Sequence, residues 1–201
     1  MDQKKNYSLI TRDGRIEDAH FIGKTIVEAM GKDLCIGLAN GEENLNKVSR
    51  LFTELAATEN AQYSYKNALV TTDINGHQIG ALICYDGAGL REMRKSFILK
   101  ANELLNWNVT IEEADKWEPE TNEREIYLDS LYVVPEYRKQ GVASSLIKSA
   151  IKKHIQIGKP FGLLVDPKNT KALDLYKNLG FKEDGINCFC GEPMLHLSLK
   201  N

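Results

Sequence analysis

The chain has 201 residues, with 26 Lys+Arg against 28 Asp+Glu, a formal net charge of −2 and a pI near 6.1. That balance excludes a globally basic nucleic-acid binder, and 42% hydrophobic residues over this length supports one domain with a real core rather than disorder. No apolar run approaches the ~18 residues of a membrane span, and the opening MDQKKNYSLI has neither an apolar h-region nor a small-residue cleavage site, so the expected location is the cytoplasm. Neither a membrane nor nucleic acid is an expected partner.

In chain order, residues 7–11 read as a short strand and 14–18 as a loop, with Glu17 and Asp18 opening a helix that runs to Met30 and stops at Gly31. Leu45, Val48, Leu51, Phe52, Leu55 and Ala56 keep the helical period, predicting a second helix over 44–60. Residues 68–72 and 78–85 are β-rich runs joined through Asn75-Gly76, the dipeptide that accepts the positive φ angles of a tight hairpin. Residues 91–107 read as a helix with charged and apolar faces, followed by an acidic loop containing Pro119. The whole stretch 90–124 reads as an insertion.

Residues 125–134 alternate and are β-rich, and Pro135 stops them. A loop over 136–140 leads into a helix over 141–157, whose Ala143, Leu146, Ile147, Ala150 and Ile151 form one apolar stripe; Gly158 and Pro160 end it. Residues 161–165 are a continuous apolar run of strand length, 169–179 a helix closed by Gly180, and two short strands finish the chain.

The charges are unevenly placed. Residues 112–125 hold seven acids against Lys116 and Arg124, whereas 138–159 hold Arg138, Lys139, Lys148, Lys152, Lys153 and Lys159 with no acid. A basic stretch beside an acidic one suits a protein that holds an anion and a cation near each other, although a charge run is usually a solvated face. Cys35, Cys84, Cys188 and Cys190 read as free thiols in a reducing compartment. Cys188 and Cys190 lack the second pair that a zinc site needs, and read as small residues on one face of a strand. His20, His77, His154 and His196 are scattered, so no metal is expected. Trp107 and Trp117 flank the acidic stretch, where they either line a pocket or pack the inserted helix.

A strand, a short polar loop and a helix with Gly in its first turn form a physical recipe for an anion site, because the unpaired N–H groups and the dipole of the helix start can surround a phosphate. The string Arg138-Lys139-Gln140-Gly141-Val142-Ala143 has this form, though a Gly there also serves turn geometry. A Walker loop and a G-x-G-x-x-G are both absent.

A second string, Asn169-Thr170-Lys171-Ala172-Leu173-Asp174-Leu175-Tyr176-Lys177-Asn178-Leu179-Gly180-Phe181, follows the next strand. Together the two resemble the GNAT superfamily of acyl-CoA-dependent N-acyltransferases. Arg138, Gly141 and Ala143 match its [RQ]-x-x-G-x-[GA] pattern. Asn169, Ala172, Leu175, Tyr176, Gly180 and Phe181 match N-x-x-A-x-x-[LF]-Y-x-x-x-G-F, and residues 131–138 match L-Y-V-x-P-x-Y-R. The strand 126–133 is similar to that of spermidine/spermine-type acetyltransferases, whose Glu falls at Asp129. Two departures stand out: Lys139 and Ala143 replace the first and third Gly of the commonest loop, R-G-x-G-x-G, and Tyr127 occupies the commonest position of the general base.

The resemblance implies an α/β (α+β) fold, a mixed and mainly antiparallel sheet with helices on both faces, as a single domain over 1–201. It implies acetyl-CoA as cosubstrate, no metal, and transfer of an acetyl group to a primary amine; the acidic stretch adds the expectation of a small cationic one. An aliphatic amine of pKa near ~10 must lose a proton before attack, and Asp129 is the candidate base, its alternative role being a polar residue on a solvent-facing strand position. Tyr176 is the candidate acid for the departing thiolate, though it also belongs to an ordinary core stripe. The cofactor-binding set implied is Leu131, Tyr132 and Val133 for the oxyanion and pantetheine arm, Arg138, Lys139, Gln140, Gly141, Val142, Ala143 and Ser144 for the pyrophosphate, and Asn169 and Tyr176. Asn169 also suits a helix cap. Acetylation of a protein N-terminus or lysine, and a non-catalytic acyl-CoA-binding module, remain alternatives, and a homodimer is left open.

Overall fold

The computed structural model describes residues 9–200; positions 7 and 8 of the expected first strand, and most of the opening MDQKKNYSLI, lie outside them. Seven strands, β1 (Ile10–Asp13), β2 (Ala68–Thr72), β3 (Gln78–Asp86), β4 (Ile126–Val133), β5 (Phe161–Val165), β6 (Lys182–Phe189) and β7 (Glu192–Leu199), form one sheet in the order β1-β2-β3-β4-β5-β7-β6. Every neighbouring pair is antiparallel except β4 and β5. The fold is therefore the mixed, mainly antiparallel α/β arrangement expected.

Helices cover both faces. On one lie α1 (Ala19–Met30), α2 (Lys32–Ala39), α3 (Leu45–Ala56) and α4 (Leu90–Leu105), whose apolar stripes meet Val70, Ala81, Ile83, Tyr85 and Tyr127 of the sheet. The α3 stripe buries Val48, Leu51, Phe52, Leu55 and Ala56 as its spacing predicts. Gly23 lets α1 approach the Thr53 backbone of α3 closer than any Cβ would allow. On the opposite face α6 (Val142–His154) and α7 (Thr170–Asn178) pack on Leu82, Ile126, Leu128, Phe161 and Leu163. A short helix, α5 (Ile111–Ala114), sits in the acidic stretch behind a capping box in which Thr110 Oγ1 accepts from Glu113 N–H.

Four features differ from the sequence expectation. The helix α2 follows directly after Gly31, which both ends α1 and starts its successor, so a stop signal hid a second helix. The β2–β3 connection is not a tight Asn-Gly turn: only Gly76 takes a positive φ, and the loop is organised by Asp73, whose Oδ1 accepts from the N–H groups of Asn75 and His77, both at 2.9 Å. The closing strands β6 and β7 are eight residues each rather than short. Cys188 and Cys190 do not share a strand face, because Cys190 lies in the β6–β7 turn at φ 51°, and both are exposed.

Two irregularities of β4 position the site. The β3–β4 register passes from Ile83↔Ser130 to Cys84↔Leu128, leaving Asp129 as the extra residue of a bulge. On its other edge β4 pairs with β5 only at Ile126↔Phe161 and Tyr127↔Gly162, after which the two strands part.

Candidate active site

The bulge aims Asp129 and Ser130 at the same side of the sheet, so the Ser130 hydroxyl donates to Asp129 Oδ1 at 2.6 Å. Asp129 Oδ2 accepts from the Tyr85 hydroxyl at 2.7 Å and lies 3.1 Å from Gln62 Nε2. That same amide nitrogen lies 2.9 Å from the Tyr85 oxygen and 2.8 Å from Glu120 Oε1. An amide has two hydrogens for these three acceptors, so the cluster is short of protons. Glu120 is in turn paired with Arg94 of α4. Gln62 and Tyr85 are each 2% exposed, whereas Asp129 keeps partial exposure, so Asp129 is the member of the cluster a solute can reach. Burial, and then the charge of Glu120, hold its carboxyl above the usual aspartate range, while its three hydrogen bonds pull the other way. A carboxylate of raised basicity at a strand irregularity suits proton removal from an amine better than an ordinary surface aspartate does.

Tyr127, at the commoner base position, is buried with its ring 5.9 Å from that of Tyr85, and burial raises its hydroxyl well above the normal value. It remains a neutral wall of the site.

Beyond Val133 the chain turns through 135–137 into the loop before α6. Gly141 has φ 84° and no side chain caps the helix, so the N–H groups of Val142, Ala143 and Ser144 have no intrahelical acceptor. No atom lies within 4 Å of where a Gly141 Cβ would stand, leaving the approach to these donors open. Val142 points its side chain into the core and offers only its backbone. Lys139 adopts φ 58°, the strained conformation that a Gly would take freely. Arg138 Nε donates to the Val133 carbonyl at 3.0 Å, and its guanidinium lies 5.8 Å from the Tyr132 ring centroid. Gln140 Nε2 donates to the Glu136 carbonyl at 2.8 Å. An open groove continues along α6 past Ser144, Ser145, Lys148, Ser149 and Lys152. These residues fit a phosphorylated cofactor: free N–H donors, lysines along one helix face, and, toward the sheet, the opening between β4 and β5, where the strand edge carrying Leu131, Tyr132 and Val133 is free of β5.

Asn169 caps α7, its Oδ1 accepting from Ala172 N–H at 3.2 Å. Tyr176 packs edge-on to Phe181 at 5.9 Å among the residues of the α6 face, and burial pushes its hydroxyl up to about 12. The phenol is therefore protonated at neutral pH and a weaker acid than a free tyrosine. Asp129 and Tyr176 thus belong to opposite faces of the sheet, and the opening between β4 and β5 joins the two sides.

Several residues of this arrangement carry no sequence signal. Gln62 and Tyr85 are brought to Asp129 by the β2–β3–β4 pairing, and Arg94 and Glu120 by the packing of α4 and the acidic loop. Lys24 of α1, 5.8 Å from the Tyr132 ring centroid opposite no motif, is another. Trp107 packs on the core, its Nε1 donating to the Leu38 carbonyl at 3.2 Å, while Trp117 meets its ring edge-on at 6.2 Å and stays exposed. Among the described residues no group of three or more His, Cys, Asp or Glu is placed to hold a metal ion.

The acetyltransferase (GNAT) family model matches residues 53–181, from α3 through the end of α7, and so takes in the bulge, the helix start and both motif strings. The chain belongs to this family. Its members use acetyl-CoA. A thialysine N-epsilon-acetyltransferase of Sus scrofa is 46% identical over 84 residues, 38% of this chain and 49% of that protein, and one of Bos taurus is 40% identical over the same share. The match thus spans about half the length of these curated relatives. Among solved structures, an N-acetyltransferase from Staphylococcus aureus Mu50 superposes with a TM-score of 0.70 at 22% identity, covering 94% of this chain and all of that one, which supports the shared fold.

Proposed function

We propose that the protein transfers an acetyl group from acetyl-CoA to the primary amine of a small cationic acceptor, as one domain in which residues 90–124 are an insertion. The observation that carries this reading is the β4 bulge: it sets the basic carboxylate of Asp129 beside the opening between β4 and β5, on the same strand that leads into the phosphate-binding start of α6. Acetyl-CoA supplies an acyl group activated as a thioester. The backbone N–H groups of 142–144, with Arg138, Lys139, Lys148 and Lys152 around them, hold its phosphates, and the free edge of β4 orients its arm. A backbone N–H within 131–133 meets the charge that develops on the acyl oxygen. Asp129 takes the first proton from the acceptor ammonium, directly or through one water, and Tyr176 gives a proton to the departing sulfur, the second proton lost by the attacking nitrogen restoring the phenol. The acidic stretch and the amine acceptor named for the curated relatives both favour a cationic acceptor. The four free thiols favour the cytoplasm as its location.

The test is free-thiol release from acetyl-CoA against a panel of polyamines, amino acids, neutral amines and peptides. Cationic small amines are expected to be the best acceptors. Asp129→Asn and Tyr176→Phe should each lower kcat by about 10²–10⁴-fold, the usual scale of a lost general acid or base, with the KM for acetyl-CoA little changed. No release across the panel while CoA still binds would identify a non-catalytic acyl-CoA module instead.

A further inference from the structure

The segment between β3 and β4 delivers an ion pair into the acceptor side of the site. Arg94 stands on α4 and Glu120 in the loop after α5; their side chains are only 13% and 8% exposed and touch directly. Glu120 Oε1 shares the Gln62 amide with Asp129 Oδ2, at 2.8 and 3.1 Å, so the pair is one hydrogen-bonded group away from the carboxylate that takes the amine proton. The titratable groups around Asp129 and Glu120 are Tyr63 before β2, Tyr85 on β3 and Tyr127 on β4, with Cys84 behind the sheet influenced by Asp129 and Cys190 in the β6–β7 turn influenced by Glu120. Each has its pKa raised by burial and is uncharged. The local charge is therefore set by Asp129, Glu120 and Arg94, a net of one negative.

A second buried carboxylate without a cation beside it would draw a second ammonium group toward the reacting amine. Here that position is already filled by a guanidinium belonging to the protein, and a guanidinium repels any further positive charge brought close to it. We propose that the Arg94–Glu120 pair sets how strongly the acceptor is selected by charge, holding the site to the pull of one carboxylate and so limiting its preference for polyamines of closely spaced charges over amines with a single ammonium. The pair is not a separate site and touches no reacting atom; it acts through the field at Asp129. The inference rests on acetyl transfer at Asp129.

The experiment compares the KM of propylamine and of spermidine, at fixed ionic strength and pH, in the wild type, Arg94→Met, Glu120→Gln and the double variant. Arg94→Met leaves two negative charges and should lower the spermidine KM relative to propylamine by about tenfold, as expected for one partly screened charge. Glu120→Gln leaves none and should raise both KM values; because it also lowers the basicity of Asp129, kcat should fall alike for both amines, with the KM for acetyl-CoA less affected. The double variant regains a single negative charge and should return the KM ratio to that of the wild type, a recovery that structural damage would not produce. Arg94→Gln, which can still hydrogen-bond Glu120, replaces Arg94→Met should the latter fail to fold. Wild-type turnover with a KM ratio that none of the variants moves overturns this inference alone. A wild type that acetylates no amine overturns both it and the function on which it rests.

Discussion

Lys139 shows how a single residue can be read in the sequence and still surprise in its consequence. Its side chain adds charge at the mouth of the phosphate site, yet its backbone sits at φ 58°, where a Cβ is crowded against the chain. Lys139→Gly relieves that crowding. After the greater freedom that Gly gives the unfolded chain is subtracted, the net gain should be about 0.5–1 kcal/mol. The melting temperature of the ligand-free protein should then rise by about 1–4 °C, on the scale usual for a chain of this size. Lys139→Ala keeps the strain and should give no rise, so the pair of variants, followed by thermal denaturation, separates backbone from side chain. At this scale Gly141, Asn169 and Tyr176 could be named as candidates because each stands in a short string whose residue types suit a definite chemistry, and Asp129 through the resemblance of its strand. Gln62, Tyr85 and Glu120 could not, since contacts across more than twenty positions of chain bring them together with Asp129.

At the scale of elements, the pair His196–Glu125 ties β7 to the start of β4 across β5. His196 Nε2 lies 2.9 Å from Glu125 Oε2, and Thr121 Oγ1 donates to Glu125 Oε1 at 2.6 Å. Gly162 of β5 lies beneath the carboxylate, where a Cβ would collide with it. The hydrogen bond to Glu125 raises the His196 pKa despite its burial, and the bonds from His196 and Thr121 lower that of Glu125 against the opposing effect of burial. The charged histidine therefore adds stability that is complete below about pH 6.5, its unfolded value, and is lost as pH rises through the raised folded value. The carboxylate adds stability that is complete above about pH 4.3 and is lost as pH falls through its lowered folded value. The difference in melting temperature between wild type and His196→Gln should be widest between these limits and narrow above them. His154, whose pKa is lowered chiefly by burial, contributes with the opposite slope and cancels in that difference. Gly162→Ala should be destabilising at every pH. Element by element, the hairpin, β4, α6, β5 and α7 followed from period and punctuation. The helix α2 did not, because Gly31 serves two helices at once.

Across the whole molecule the two charge runs turn out to have unequal uses. In the basic run, Lys153 and Lys159 pair with Asp13 and Asp86, while Arg138, Lys139, Lys148 and Lys152 are gathered at the start and along the groove of α6. In the acidic run, the buried Glu125 and Glu120 are taken up by His196 and Arg94 and the exposed Glu113 caps α5, while Glu112, Glu118 and Glu123 stay exposed. A linear sequence displays the sign of each residue but not which charge finds an internal partner. The start and groove of α6 thus lie on one face of the sheet and the Asp129–Tyr85 cluster on the other, with the parting of β4 and β5 between them; under the proposed function the first holds the phosphorylated donor and the second the acceptor. This division has a measurable consequence in hydrogen exchange. Binding of CoA should slow exchange in 131–144 and along α6, with little effect on 60–63 or on 90–124. The effect should weaken as salt is raised, because the phosphate contacts are ionic and partly exposed. A good amine acceptor added to the CoA complex should slow exchange in 60–63 and around Glu120. Protection of 90–124 by CoA alone would mean that the insertion closes over the donor, and the separation of the two faces would not hold.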